Sequence, residues 1–208
     1  GHPYVDLELP SGTLWAAMNV GASKPTEYGL YFQWGDIVGY KEEQIGKEPI
    51  GKRFEYSDYR WLSNNGDEYF SKYTKPSDKL DLEDDAAHIH MCGSWHMPTD
   101  EQIKELINNT TYKLTTLNDV SGMTFTSTNG KSVFFPLTGG AFNGLIQYEG
   151  FGGCWLSNLS SLSTNLDAFG VSFIFPNPNP TSPDDYNTPQ IAGLFFRCDG
   201  APVRGVIG

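Results

Sequence analysis

Three histidines and a cysteine lie close together near the middle of the sequence, at His88, His90, Cys92 and His96. Imidazole and thiolate are the ligands that zinc prefers, so this group is a candidate metal site. Its spacing matches no standard zinc arrangement, because on a helix His88 and His90 would point about 200° apart. We interpret the four side chains as structural or surface residues, with zinc as the alternative.

An acidic run precedes the histidines. Carboxylate oxygens are the ligands that calcium prefers, but no EF-hand pattern is present. Acids in the first turn of a helix are also stabilised by the helix dipole, which is explanation enough for several of them. We therefore predict no cofactor and keep calcium as an alternative. The run consists of Asp78, Asp81, Glu83, Asp84 and Asp85.

The common catalytic signatures are missing from the sequence. There is no G-x-S-x-G, no H-E-x-x-H, no P-loop and no G-x-G-x-x-G. Single Cys, His and Asp residues occur in most proteins and carry no reaction by themselves. We predict that the chain is not an enzyme.

The cysteines and tryptophans are interpreted mainly as core residues. With three cysteines, at least one thiol stays unpaired within the chain. Cys154 with Cys198 is the only disulfide we consider, and three buried thiols are the alternative. Among the five tryptophans, Trp61 is the best candidate for an exposed ring that stacks on a sugar. The others are assigned to the core, namely Trp15, Trp34, Trp95 and Trp155.

The net charge is −11, with an isoelectric point near 4.6. Such a surface repels phosphate backbones and anionic membranes, so we expect no nucleic-acid partner. No stretch approaches the roughly 20 apolar residues that span a bilayer. The chain opens on Gly1, His2 and Pro3, and we interpret residues 1–4 as a linker remnant. We expect any export signal or membrane anchor to lie outside the sequence.

These candidate residues would be positioned by two helices and several short strands. We predict a first helix from Leu82 to Met91. A second helix begins after Thr99, whose side chain and that of Gln102 form a capping box, and it ends near Asn109. The pattern predicts that residues 31–36 pack inward.

Alternation of apolar and polar residues, with turn signals between, predicts strands along most of the remaining chain. We expect one α+β domain over residues 1–208, with short, twisted, mainly antiparallel strands and close termini. Asn129 and Gly130 mark a hairpin. The predicted strands cover residues 5–9, 13–21, 122–125, 132–137, 155–157, 168–175, 191–198 and 203–207.

Several of these stretches together resemble the Fibrobacter succinogenes major paralogous domain, a family common in exported proteins and lipoproteins of gut Bacteroidetes. The similarity extends from Val5 to about Arg204. Its motifs occur in a fixed order: Val5–Leu7, Leu9–Gly12, Trp15–Ala16, Asn19–Ala22, Tyr31–Phe32, Trp34–Asp36, Leu82–His88, Trp95–Thr99, Phe134–Leu137, Trp155–Ser157 and Gly200–Arg204.

The resemblance implies a C-type-lectin-like fold and an exported or surface-anchored binding or adhesion domain, with no catalytic residues to carry over. The sequence departs from the family pattern at Met18, His96 and Cys154. The C-x₄-C pair that marks active formylglycine-generating enzymes is absent, which disfavours that enzymatic alternative. The triplet from Asn177 to Asn179 lacks the acid of the sugar-binding lectin motif, so a calcium-dependent sugar site is also disfavoured.

The candidate contact surface combines residues 158–165 with residues 176–187. Small polar side chains beside one aromatic residue are typical of antibody loops, and prolines limit the entropy lost on binding. The expected partner is a protein or a glycan at the cell surface, and a passive structural module is the alternative. The residues predicted to be exposed contacts are Asn158, Asn165, Asp184, Asp185, Tyr186 and Asn187.

The composition changes sharply in the last quarter of the chain. All ten lysines and all eleven glutamates lie before residue 150. Randomised AAC codons never encode Lys or Glu, so a ligand-binding protein diversified by a retroelement is one explanation. A sheet-rich segment of low charge is the simpler one, and we favour it.

Overall fold

The computed structural model describes residues 1–46, 51–63, 70–147, 150–159, 169–174 and 189–208. Its helices are α1 (Ala86–Met91) and α2 (Asp100–Asn109). The strands are β1 (Tyr4–Asp6), β2 (Leu14–Ala16), β3 (Tyr31–Phe32), β4 (Thr110–Leu117), β5 (Val120–Ser127), β6 (Ser132–Pro136), β7 (Gly140–Phe142), β8 (Leu145–Gln147), β9 (Gly153–Leu159), β10 (Phe169–Ile174), β11 (Gln190–Phe196), β12 (Ala201–Pro202) and β13 (Val206–Ile207).

Every pair of these strands is antiparallel. Together with the two helices, this confirms the predicted α+β class. Three short 3-10 helices, Glu42–Gln44, Tyr56–Asp58 and Leu82–Asp84, complete the regular structure. Within the described residues, no helix has both the length and the apolar character needed to cross a bilayer.

The two ends of the chain meet in one sheet, in the order β1-β2-β13. Val5 and Val206 both pair with Trp15, from its two sides. The termini are therefore close, as predicted, although β1 and β13 lie on either side of β2 and do not pair with each other. Residues 2–4 belong to the folded unit, since Tyr4 pairs with Ala16 and Pro3 O accepts from Ala17 N.

The sheet β4-β5-β6 packs its inner face on α2. Ile103 and Leu106 of α2 are fully buried against it, which follows from their helical spacing. The predicted capping box is confirmed: Thr99 Oγ1 accepts from Gln102 N, and Gln102 Oε1 accepts from Thr99 N. The hairpin predicted at Asn129 and Gly130 joins β5 to β6.

A second hydrophobic cluster lies around Trp34 and Trp155, which are both fully buried. The indole nitrogens donate to backbone carbonyls, Trp34 to Leu156 O and Trp155 to Phe32 O. Residues 31–34 are buried, so the inward packing of this aromatic run is confirmed. Trp15 and Trp95 are buried as well, as expected for core tryptophans.

The first predicted helix is divided in two, a 3-10 turn at Leu82–Asp84 and then α1. Asp85 separates them with an extended backbone, at φ −87° and ψ 109°. Its carboxylate accepts from His88 N at 2.9 Å and from Met97 N at 2.8 Å. Because Asp85 caps α1 and ties it to residue 97, the helix begins at Ala86 instead of Leu82.

Two strand predictions also change. The first strand ends at Asp6, because the next turn has Glu8 at a positive φ of 52° and Glu8 N donating to Asp6 Oδ1. The predicted last strand, residues 203–207, is shorter, since Val206–Ile207 alone pairs with β2. A separate strand that was not predicted, Ala201–Pro202, pairs with β3, so the chain crosses from one sheet to the other.

Candidate functional site

The candidate surface is built on the antiparallel sheet β9-β10-β11. Leu159, the last residue of β9, pairs with Gly170, and Gln190, the first residue of β11, pairs with Ile174. Residues 160–168 and 175–188 are therefore joined to opposite ends of β10, which lie about 17 Å apart. Both segments lie outside the described residues.

Asn158 is the one predicted contact residue that the structure describes. It lies in β9 with 9% of its surface exposed, and its Nδ2 donates to Leu159 O at 3.2 Å. The backbones of Lys79 and Asn158 form an isolated antiparallel β-bridge. The prediction that Asn158 is an exposed contact is wrong, because β9 continues two residues beyond the predicted end at Ser157. The other predicted contacts, Asn165, Asp184, Asp185, Tyr186 and Asn187, lie outside the described residues.

Arg197 follows β11 and is fully buried, and no described carboxylate pairs with it. Its guanidinium carbon lies 3.1 Å from the centroid of the Phe70 ring, and Nη1 donates to Tyr73 O at 2.8 Å. Within the described part of the chain, Nε and Nη2 have no hydrogen-bond partner. Burial lowers the pKa of the guanidinium to about 10, so the group is still charged at neutral pH.

Arg204 is the second fully buried arginine, and all three of its nitrogens are used. Nε donates to Asn19 Oδ1 at 2.8 Å, and Nη1 and Nη2 donate to Ala16 O and Phe134 O at 3.0 Å each. It thereby links β2, the segment after it and β6. The sequence analysis gave neither arginine a role, although they are the only cations after Lys131.

A lysine from outside the acidic run contacts its carboxylates. Lys72 Nζ lies 2.6 Å from Asp84 Oδ2, 2.7 Å from Asp81 Oδ2 and 3.3 Å from Glu83 Oε1. Arg60 contacts the other oxygen of the buried Asp84 carboxylate at 3.3 Å. These hydrogen bonds raise the pKa of Lys72 and lower that of Asp81. These three carboxylates are grouped closely enough to ligate a cation, and the Lys72 ammonium already contacts all of them.

The histidines are separate from one another in their interactions. His88 Nδ1 contacts Trp95 O, His90 Nε2 contacts Ile37 O, and His96 contacts Met97 O and Gly208 O. Among the described residues, the only close group of potential metal ligands is the acidic one. The interpretation of these histidines as structural or surface residues is therefore favoured over zinc.

The cysteines are three free thiols, with Cys92 exposed and Cys154 and Cys198 buried. The bridge between Cys154 and Cys198 is absent, and the two thiols belong to different hydrophobic clusters. Burial raises the pKa of Cys154 to about 12 and that of Cys198 further. Because the thiolate is the reactive form, both buried thiols are poor nucleophiles at neutral pH.

Trp61 is half-buried, and its ring is already engaged. Its Nε1 donates to Gly35 O at 2.9 Å. The guanidinium of Arg60 lies 4.4 Å from the ring centroid, and Lys72 Nζ lies 5.2 Å from it. The ring thus takes part in the same charged cluster as Asp84, which disfavours its role as a free platform for sugar stacking.

The described surface carries a cleft of about 450 Å³ between the N-terminal residues, residues 18–23 and the end of α1. Its side chains include His2, Met18, Asn19, Ser23 and His90. No described histidine forms a hydrogen bond with a hydroxyl or thiol side chain.

Comparison with known proteins gave no match at three levels: models of protein families, curated proteins and solved structures.

Proposed function

We propose that the chain is a non-catalytic binding or adhesion domain that contacts a protein or a glycan through the segments flanking β10. The observation that carries the proposal is that firmly packed strands are joined by segments of polar composition in the β9-β11 region. Its strands are fixed by buried groups, with Trp155 bonded to Phe32 O and Arg197 packed on Phe70. Rigid elements that present polar connecting segments are the usual architecture of binding sites.

The composition of the connecting segments supports the same proposal. Residues 160–168 and 175–188 consist largely of Asn, Ser, Thr, Asp and Pro, without Lys, Glu or Arg. With Asn158 buried, the proposed contacts are Asn165, Asp184, Asp185, Tyr186 and Asn187. Four of these five lie in the longer segment, so we place the main contact there.

The finer parts of the proposal rest on the family resemblance. We propose a C-type-lectin-like fold of the Fibrobacter succinogenes major paralogous type, in an exported or surface-anchored protein with no nucleic-acid partner. A passive structural module is the competing proposal, and it predicts no saturable ligand.

The experiment is a screen of the purified chain against immobilised glycans and extracellular protein domains, repeated with the variant Tyr186→Ala. Loss of binding in the variant, with an unchanged melting temperature, supports a contact at residues 175–188. Tyr4→Ala, at a tyrosine of β1 that is 56% exposed, is the matched control. Sequences of sister alleles address the retroelement alternative, which requires variation concentrated in these segments.

A further inference from the structure

The strand β4 lies at the edge of its sheet, which has the order β4-β5-β6. It pairs with β5 at eight consecutive positions, from Thr110 opposite Ser127 to Leu117 opposite Val120, without a register shift. Among the described residues, no backbone hydrogen bond joins the other edge of β4 to another element. Within the described part of the chain, half of its backbone N–H and C=O groups therefore have no backbone partner.

This edge has little of the protection that such strands usually carry. Proteins prevent edge-to-edge pairing with prolines, bulges, short strands or several charges. β4 is eight residues long, has no proline or bulge, and carries one charged side chain, Lys113. Four of its residues are threonines, which favour extended structure. An edge of this kind is well suited to accept another strand.

Apolar side chains are exposed along the same edge. Leu114 is 38% exposed and Leu117 is 40% exposed, although both belong to regular structure. A strand added beside β4 would shield both from water, with a gain of roughly 25 cal/mol for each Å² of apolar surface buried.

We propose that β4 pairs antiparallel with β4 of a second copy of this chain, forming a continuous six-stranded sheet across a two-fold axis at Leu114. In this register Leu114 lies opposite its own counterpart and Lys113 lies opposite Thr115 of the other copy. Tyr112 then lies opposite Thr116, and Thr111 opposite Leu117. Seven of the eight residues are paired, each with a residue on the same face of the sheet.

Charge selects this register among the symmetric ones. An axis at Lys113 would place two ammonium groups directly opposite each other, which is destabilising. An axis at Thr115 would pair only five residues of each strand. The axis at Leu114 avoids both problems and uses the same patch on each copy, so the assembly closes as a dimer.

The whole-chain charge makes a second, independent prediction. Two bodies with a net charge of −11 each repel at long range, whereas the contact itself contains one lysine from each copy. Salt screens this repulsion, with a Debye length of about 8 Å at physiological ionic strength. Dimerisation should therefore strengthen as salt is added.

Sedimentation velocity over a range of protein concentrations, at low and at high salt, tests the proposal. The wild-type chain should shift from one to two copies as concentration rises, at lower concentration in high salt. Leu114→Lys places a charge on the axis and should weaken dimerisation at least tenfold. Leu145→Lys is the matched control, since Leu145 is 62% exposed on the separate β7-β8 hairpin, and it should dimerise like the wild type.

Hydrogen exchange on the wild-type chain gives a readout that does not depend on a variant folding. Alternate amides of β4 should become protected as the protein concentration rises, while those of β8 do not. A chain that stays monomeric at every concentration and salt level overturns the proposal. So does a dimer whose affinity is unchanged by Leu114→Lys, or whose formation leaves the β4 amides unprotected.

Discussion

Nε of Arg204 donates to Oδ1 of Asn19 at 2.8 Å, and this bond joins residues that lie 185 positions apart. Two further bonds from the same guanidinium reach Ala16 O and Phe134 O. One side chain near the C-terminus thus satisfies acceptors on β2, on the segment after it and on β6. Since Arg204 is buried and has no carboxylate partner, these acceptors and the Phe135 ring, 4.2 Å away, are what stabilise its charge.

The two buried arginines should respond differently to replacement by methionine. Arg204→Met removes donors from three acceptors and should lower the free energy of unfolding by about 3 kcal/mol or more. Arg197→Met removes a charge with two unpartnered nitrogens and keeps an apolar contact with Phe70. Its effect should be within about 1 kcal/mol, because apolar replacement of a poorly satisfied buried charge is often neutral.

Urea unfolding of both variants measures this difference. The exposed Arg53, at the edge of the 3-10 turn Tyr56–Asp58, provides the control Arg53→Met. Equal losses for the two buried positions, or a larger loss for Arg197→Met, would contradict the roles assigned here.

The acidic cluster should respond to calcium only when its lysine is removed. In the wild type, the Lys72 ammonium contacts Asp81, Glu83 and Asp84 and takes the place of a bound cation, so added calcium should not change the melting temperature. Lys72→Met leaves the buried Asp84 carboxylate with Arg60 and the Tyr73 hydroxyl as partners, at a cost of about 1–3 kcal/mol. Calcium should restore part of that loss, because it can replace the positive charge beside the three carboxylates.

Thermal unfolding with and without calcium is the measurement. Lys75→Met is the control, since Lys75 is exposed and, among the described residues, forms no ion pair with the cluster. Stabilisation of the wild-type chain by calcium would show that the ammonium does not occupy the cation position.

The carboxyl group of Asp199 should make stability fall as the pH rises toward neutrality. Burial raises its pKa to about 7, although Phe196 N donates to Oδ2 at 2.7 Å. The folded state therefore binds the proton more tightly than the unfolded chain. Its contribution to stability is complete below the unfolded pKa near 4 and is lost as the pH rises through about 7.

Asp199→Asn keeps an acceptor for Phe196 N and removes the titration. The stability of the variant relative to the wild type should rise between about pH 4 and pH 7, with a slope of at most about 1.4 kcal/mol per pH unit. Denaturant unfolding at several pH values measures this difference. Asp119→Asn, in the exposed β4–β5 turn, is the control. A difference that does not depend on pH would show that Asp199 is ionised throughout the range.

Local patterns predicted the elements whose determinants are close in sequence. The capping box at Thr99 and Gln102 and the turn at Asn129 and Gly130 depend on residues within a few positions, and both are confirmed. The predicted start of the first helix, Leu82, was wrong, because the true start depends on a hydrogen bond from Met97 N to Asp85 across a loop. The short strands β12 and β13 depend on pairing with β3 and β2, which no local pattern contains.

The candidate surface was only partly accessible to sequence reasoning. A polar, Pro-rich composition identified residues 176–187, but the end of β9 was misplaced and Asn158 was wrongly assigned to the surface. Arg197 left no periodic signal, since its guanidinium packs on Phe70, 127 positions away. The scarcity of cations after Lys131, where only Arg197 and Arg204 occur, was the one sequence feature that could have identified it.

The most direct test of the central proposal is equilibrium binding of the chain and of Tyr186→Ala to the glycans and protein domains of the proposed screen. We expect at least one ligand that binds the wild type and Tyr4→Ala saturably, and that Tyr186→Ala binds at least tenfold more weakly with an unchanged melting temperature. Absence of any saturable ligand, or equal binding by all three proteins, would contradict a contact surface at residues 175–188.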